Sequence, residues 1–153
     1  MQSYTKPKKR KKTYRRTVFE MACHSNPKEI GCIEQFLMQV NKKLNMDDGT
    51  MYRLLVSCTE AVNNAMIHGN GSDPNKIVAI RCIVEKQSLI IRVKDEGRGF
   101  DPKSLQDPRE EKNLLKESGR GVFLIRSLMD SITVKRLKSG SVVEMKVKLH
   151  KQY

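Results

Sequence analysis

Apolar residues recur at three- and four-residue steps through residues 26–67, which is the spacing of helices with one buried face. Asn26-Pro27 offers a helix start, with Asn as the cap and Pro at the first helical position, and this helix is predicted to run to about Leu44. The segment 47–50 interrupts the pattern and offers a cap for a second helix. That helix is predicted over residues 51–67.

The other apolar segments alternate every second residue, as strands do. Strands are predicted at residues 17–23, 76–85, 88–95, 131–137 and 141–150, with a short helix over 122–129. In the first strand, Val18 and either Met21 or Phe19 are expected to face inward. Helices and a mostly antiparallel sheet in this order predict an α+β fold, a two-layer sandwich.

The second strand of the first hairpin ends in a carboxylate on its more apolar face. Leu89, Ile91, Val93 and Asp95 share that face under two-residue alternation. A carboxylate facing an apolar pocket can accept a hydrogen bond from an exocyclic amine such as that of adenine. The Gly-x-Gly turn that follows would let the backbone approach such a base, although a plain surface turn has the same pattern.

Charge and length set limits on the class of protein. The 153 residues suit one domain, and 30 Lys and Arg against 17 Asp and Glu give a net charge of +13. Eight of those bases and no acid lie in residues 1–16, which predicts a disordered basic arm before a domain at 17–150. The arm is either a solubilising tail or a contact to an acidic partner, a membrane surface or nucleic acid. Nucleic acid is considered for this arm alone.

The remaining composition favours a cytoplasmic protein. The four cysteines have no CxxC spacing and the three histidines form no zinc pattern, so reduced, mostly buried thiols are expected. No apolar segment approaches the roughly 18 residues of a membrane span, and the basic start is not followed by a signal-peptide core.

Glu60, Asn64 and His68 are four residues apart, so they form a polar line beside the apolar stripe of the second helix. Asparagine is a poor choice inside a helix because its side chain competes for backbone hydrogen bonds. An Asn oxygen is a suitable ligand for Mg²⁺, and a Glu one turn earlier can accept a proton from an attacking hydroxyl. A solvated helix face is the alternative interpretation.

A third segment, Ser118-Gly119-Arg120-Gly121-Val122, is predicted to be a glycine-rich loop that opens into the last helix. Free N–H groups at a helix start suit phosphate, and Arg120 would add positive charge. The segment lacks the Gly-Lys-Ser/Thr ending of a Walker loop.

Together, in this order, the three segments resemble the N, G1 and G2 boxes of the Bergerat-fold ATPases, the superfamily of gyrase, MutL and sensor histidine kinases. The chain resembles most the anti-sigma factor serine kinases, over about residues 17–150. The resemblance implies the Bergerat ATP-binding fold, with a mostly antiparallel mixed sheet and helices on one face.

The resemblance also implies a role for each motif residue. Glu60 would be the catalytic base, Asn64 the Mg²⁺ ligand, and Asp95 the partner of adenine. The nucleotide pocket would further be formed by His68, Gly97, Gly99, Gly119, Arg120, Gly121 and Val122. A mobile lid would span roughly residues 100–118 and carry Lys103, Arg109, Lys112 and Lys116, which either reach the phosphates or are simply solvated.

The function implied is an Mg²⁺-ATP-dependent kinase that phosphorylates a Ser or Thr of an antagonist protein and holds a sigma factor inactive, acting as a homodimer. The chain is too short for the extra domains of gyrase, MutL or a complete histidine kinase. Asn63 stands where these kinases often have Ser or Thr, so γ-phosphate contacts are expected to differ. The alternative is an ATP- or ADP-dependent binding switch with little or no kinase activity.

Overall fold

Strands and helices follow one another along residues 16–98 and 117–150, the part of the chain described in this computed structural model. The strands are β1 (Thr17–His24), β2 (Ile77–Glu85), β3 (Ser88–Lys94), β4 (Ser131–Arg136) and β5 (Ser141–Lys148). The helices are α1 (Gly31–Leu44), α2 (Asp48–Asn64) and α3 (Glu117–Leu128). A 3-10 turn at Pro27–Glu29 precedes α1, and a π turn at Ala65–Gly69 follows α2.

The five strands form one sheet in the order β1-β2-β3-β5-β4, and every described pairing is antiparallel. The register places Ile80 opposite Val93 and Ile91 opposite Met145, so apolar side chains cross the sheet in rows on one face. The helices cover that face. The predicted α+β sandwich is confirmed, although no parallel pair occurs among the described strands, so the sheet is not mixed there.

Helix α2 lies at the centre of the core. Its side chains Leu54, Cys58 and Val62 are fully buried, at the three- and four-residue steps that the sequence pattern predicts. Burying each large aliphatic side chain stabilises the fold by roughly 1.5–3 kcal/mol, and truncating Leu54 to Ala would cost about 2–5 kcal/mol. The helix that carries Glu60 and Asn64 is therefore held in the core by its buried face.

Local hydrogen bonds explain where the helices begin. Asp47 caps α2 by accepting hydrogen bonds from the Thr50 N–H (2.9 Å) and the Thr50 hydroxyl (2.6 Å). The same bonds hold the pKa of Asp47 below its usual value. Because Asp47 is itself the cap, α2 begins at Asp48, three residues before the predicted start at Met51. Asn26 caps only the 3-10 turn, through Lys28 N–H, so the regular helix starts later than predicted.

Strand β1 corrects one predicted orientation. Phe19 and Met21 pack against the core and Cys23 is buried, whereas Val18 is 40% exposed on the other face. Strict alternation along a strand places residues 19, 21 and 23 together, so Val18 and Met21 cannot both face inward.

The C-terminal end of α3 is fixed by one arginine and one aspartate. Arg53 of α2 donates to the Leu128 carbonyl (2.5 Å) and pairs with Asp130 (3.2 Å). Asp130 also accepts the Lys148 N–H (2.6 Å), and this bond, with Arg53, lowers the pKa of the carboxyl. Helix α3 is thus joined at this end to both α2 and β5.

Several predictions fall outside the described residues. They are the arm up to residue 15, Gly99, and residues 100–116 of the predicted lid, which include its four lysine and arginine side chains. The last two residues of the predicted lid, 117 and 118, belong to α3. The last residue of the arm, Arg16, is described, and its guanidinium pairs with Glu85 (2.7 Å) and lowers the pKa of that carboxyl. Within residues 16–98 and 117–150, no helix has the length and apolar character needed to cross a membrane.

Candidate functional site

Two adjoining cavities lie between the helices and the end of the sheet where β3 stops. The first is narrow, about 30 Å³, and lined mostly by apolar side chains: Ala61, Ala65, Val122, Ile125, Ile132, Val134 and Val143. The second, about 420 Å³, is more polar and is lined by Glu60, Asn63, Asn64, Ile67, His68, Arg120, Gly121 and Leu124. Asn64 and His68 line both cavities, so the two form a continuous site.

Asp95 is a buried carboxylate at the first cavity. It is 4% exposed, and its Oδ1 accepts the N–H groups of Gly97 (2.9 Å) and Ser141 (3.1 Å). The Ser141 hydroxyl donates to Oδ2 (2.6 Å). A carboxylate has about four acceptor positions, so these three bonds leave one on Oδ2. The remaining position can accept one further N–H or O–H donor at the edge of the apolar cavity.

Glycines allow the backbone to close around Asp95. A Cβ at Gly97 would overlap the carbonyl oxygen of Gly69, so the turn after β3 packs directly on the end of the π turn. Gly140 has φ +89° and a Cβ there would overlap the Asp95 carbonyl oxygen. Larger residues at either position would displace the carboxylate.

The π turn changes how the predicted polar line is presented. In an α-helix a four-residue step passes beyond a full turn, so Glu60, Asn64 and His68 would drift around the axis. The π turn, closed by the Asn70 N–H on the Ala65 carbonyl (2.8 Å), contains one extra residue and reverses that drift. Glu60, Asn64 and His68 consequently line one cavity together.

The predicted glycine-rich loop before α3 is wrong for this structure. Helix α3 begins at Glu117, not Val122, so Gly119, Arg120 and Gly121 lie within its first two turns. The N–H groups from residue 120 onward are past the unpaired positions of a helix start. A Cβ at Gly121 would stand 2.7 Å from Glu60 Oε2 and 3.3 Å from Asn64 Nδ2. The helix therefore rests directly on the predicted catalytic base, Glu60, and the predicted Mg²⁺ ligand, Asn64.

The donors around the second cavity fit Mg²⁺. Asn64 supplies an amide oxygen and Glu60 a carboxylate, and both are half-buried. Magnesium typically takes one or two protein oxygens and keeps waters or phosphate oxygens for the rest. Arg120 is exposed at the same cavity, where its charge can face a phosphate.

Sequence reasoning missed Ser141, Gly140 and Asn70 as residues of the site. Ser141 and Asn70 are 46 and 26 residues from the partners that give them meaning, Asp95 and Glu96. The only local signal was turn chemistry, since Gly140 lies in the predicted closing turn and Asn70 in a dense turn segment.

Comparison with known proteins identifies the class. A family model for the histidine kinase-like ATPase domain matches residues 23–147. The chain belongs to this family, as its N, G1 and G2 motifs predict.

Among individual proteins, the chain is 37% identical over 106 residues to an anti-sigma F factor of Geobacillus kaustophilus, covering 66% of this chain and 70% of that protein. It is 32% identical over 132 residues to the serine-protein kinase RsbW of Bacillus subtilis, covering 82% of each.

Solved structures agree on the fold. A crystal structure of the RsbU and RsbW domains of a Mycobacterium tuberculosis protein superimposes with a TM-score of 0.62 at 13% identity, over 87% of this chain and 32% of that one. The histidine kinase domain of an Erythrobacter litoralis blue-light activated kinase gives 0.53 at 19% identity, over 78% and 61%. At these identities the likeness concerns the fold alone.

Proposed function

We propose that this protein is an Mg²⁺-ATP-dependent serine/threonine kinase that phosphorylates an anti-sigma factor antagonist and sequesters a sigma factor. One observation carries the proposal: the buried carboxylate of Asp95 lies in an apolar cavity that adjoins a polar cavity containing Glu60 and Asn64. A nucleotide laid across both would have its base at Asp95 and its phosphates beside Asn64 and Arg120, with Glu60 next to the γ-phosphate for the acceptor hydroxyl.

Each residue then has a specific task. Asp95 accepts the exocyclic amine of adenine, with Gly97 and Gly99 shaping the base pocket. Asn64 holds Mg²⁺, which neutralises charge on the phosphates when bound. Glu60 accepts the proton of the acceptor hydroxyl, Arg120 contacts the phosphates at the polar cavity, and Val122 lines the base cavity beside Asp95. His68 lines the junction between base and phosphate.

The partners follow from the relatives. An anti-sigma F factor and a serine-protein kinase are both similar to this chain over most of their length, which supports a sigma factor and a phosphorylatable antagonist as binding partners. We place the protein in the cytoplasm as a homodimer. Sedimentation velocity of the purified chain tests the dimer, and a monomer at all concentrations would refute it.

Phosphotransfer is the decisive experiment for function. Proteins captured with the tagged chain are identified by mass spectrometry, and the candidate antagonist is incubated with γ-labelled ATP, Mg²⁺ and the purified chain. We expect label on a Ser or Thr of the antagonist. Glu60→Gln should lower the transfer rate at least about 100-fold while leaving ATP binding in place. The matched control is Glu34→Gln, an exposed carboxylate on α1.

A nucleotide-dependent switch without transfer is the second candidate. It is favoured by Asn63, which stands where the related kinases often have Ser or Thr, and by the close packing of Gly121 on Glu60. A switch predicts partner binding that differs between ATP and ADP, with no label transferred by the unmodified chain. Transfer by the unmodified chain that is unaffected by Glu60→Gln would instead remove Glu60 from the assigned role.

A further inference from the structure

Asn70 is a buried side chain that joins four parts of the fold. It is 2% exposed and follows the π turn directly. Its Nδ2 donates to the Ser25 hydroxyl (2.7 Å) after β1 and to the Ile77 carbonyl (2.9 Å) at the start of β2. Its Oδ1 accepts the N–H of Glu96 (2.7 Å), the residue after Asp95.

The orientation of this amide is determined by its backbone partners. The Ile77 carbonyl can only accept and the Glu96 N–H can only donate, so Nδ2 and Oδ1 cannot be exchanged. Aspartate would keep an acceptor for Glu96 but place an oxygen against the Ile77 carbonyl. Asn is therefore the residue whose two ends match both sides of this junction.

The bond to Glu96 acts on the turn that holds Asp95. The Glu96 carboxylate returns to the Ile77 N–H (2.8 Å), so residues 70, 77 and 96 close a small ring of hydrogen bonds. Next to this ring, Gly97 packs on Gly69, the neighbour of Asn70. The ring and this contact together fix the path of the backbone immediately after Asp95.

We propose that Asn70 is a positioning residue that sets the base selectivity of the nucleotide site by holding the turn after Asp95. This rests on the proposed nucleotide binding. A carboxylate kept in one direction accepts the amine of adenine and repels the carbonyl oxygen that guanine has in its place. If the turn is released, the carboxylate loses the Gly97 N–H and only Ser141 still holds it, so its direction is less fixed and the difference between the two bases is reduced.

Three variants separate positioning from stability. Asn70→Ala removes all three bonds, Asn70→Asp keeps the acceptor for Glu96 but loses the bond to Ile77, and Ser25→Ala removes only the bond to β1. The dissociation constants for Mg²⁺-ATP and Mg²⁺-GTP are measured by calorimetry, with melting temperatures alongside. We expect Asn70→Ala to reduce the GTP-to-ATP ratio of dissociation constants by about tenfold, the value of one lost hydrogen bond.

The other two variants should melt at a lower temperature and keep that ratio near the unmodified value. The assignment would be overturned if Asn70→Ala kept the GTP-to-ATP ratio of dissociation constants, or if Asn70→Asp reduced that ratio as much as Asn70→Ala does. If Asn70→Ala does not fold, hydrogen exchange of the Glu96 amide is measured instead. Slow exchange in the unmodified chain and in Asn70→Asp supports the role of Asn70 in holding the turn after Asp95. Fast exchange in the unmodified chain refutes it. Absence of ATP binding by the unmodified chain would refute the proposed function itself, while the exchange rates would still show whether Asn70 holds the turn after Asp95.

Discussion

At the scale of single residues, Asp95 combines burial with incomplete hydrogen bonding. Three donors hold it, two from backbone N–H groups and one from Ser141, and one acceptor position on Oδ2 remains. Buried polar groups normally have at least one partner in the protein or in ordered water, and both oxygens of Asp95 have one. The proposed nucleotide site assigns this position to a ligand N–H.

Replacing Asp95 by Asn should weaken ATP binding by roughly 10- to 100-fold, the range expected for a hydrogen bond to a charged group. The new amide must keep its oxygen toward the Gly97 and Ser141 N–H groups, so its NH₂ would face the amine of adenine. Calorimetric titration with Mg²⁺-ATP measures the change. Asp48→Asn, which removes an exposed charge from α2, is the control, and an equal affinity in both variants would contradict the role of Asp95.

The residues that sequence reasoning located were those whose chemistry is written in a short segment. Glu60 and Asn64 lie one helical turn apart, and Asp95 follows directly from strand alternation. Ser141 has no local signature, because a serine at the start of a strand is ordinary until β5 is known to pair with β3. Long-range pairing carries that information, and a single sequence does not contain it.

At the scale of elements, α3 is where the structure departs most from the sequence pattern. Two glycines within three residues predict a loop, since each costs about 1 kcal/mol in a helix relative to Ala. The structure nevertheless has helix there, with Gly121 packed on Glu60 and Asn64. Tertiary contact overrides propensity in the first two turns.

Substituting Gly121 by Ala should stiffen those turns and weaken ATP binding. The added Cβ would stand 2.7 Å from Glu60 Oε2, so the carboxylate must move, and the gain in helix propensity opposes any unwinding toward phosphate. We expect roughly a fivefold rise in the dissociation constant, corresponding to about 1 kcal/mol.

The comparison for this substitution is Ser127→Ala in the same helix. Ser127 is exposed and bonds only the Leu124 carbonyl in its own helix, so its replacement favours helix without facing the cavity. Calorimetry and helix content by circular dichroism are measured for both variants. An unchanged affinity in Gly121→Ala would show that the helix start does not rearrange on binding.

At the scale of the whole molecule, the buried thiols of the core make the stability of the fold depend on pH in the alkaline range. Burial raises the pKa of Cys82 to about 12 and that of Cys58 well above its usual value. Both thiols are fully buried in the core, whereas Cys32 is exposed on α1. The described cysteines are all unpaired, as the sequence predicts.

Stability should therefore fall above about pH 9. Below the unfolded-state pKa, the folded and unfolded chains both hold the thiol proton, so the contribution of the thiol to the free energy of unfolding is constant. Above that pKa, the unfolded chain releases protons that the folded chain retains. The free energy of unfolding then decreases by about 1.4 kcal/mol per pH unit for each buried thiol, until the folded-state pKa is reached. Urea denaturation at pH 7, 9 and 10 measures this slope.

Cys82→Ala should flatten the alkaline slope, and Cys32→Ser should leave it unchanged. Because Ala leaves a small cavity, the variant starts from lower stability at pH 7, and the informative quantity is the difference between pH values. Equal slopes for the two variants would mean that the core thiols do not titrate with unfolding.

The anchored end of α3 limits how far a nucleotide signal can travel. Arg53 and Asp130 bind the C-terminal end of the helix to α2 and β5, while its first turns rest on Glu60. A structural change at the phosphates would be confined to about the first two turns of α3 and would not rotate the whole helix. On the proposed nucleotide binding, and among the described residues, a partner that distinguishes ATP from ADP is therefore expected to touch α3 near Arg120 and Phe123 and not near Asp130.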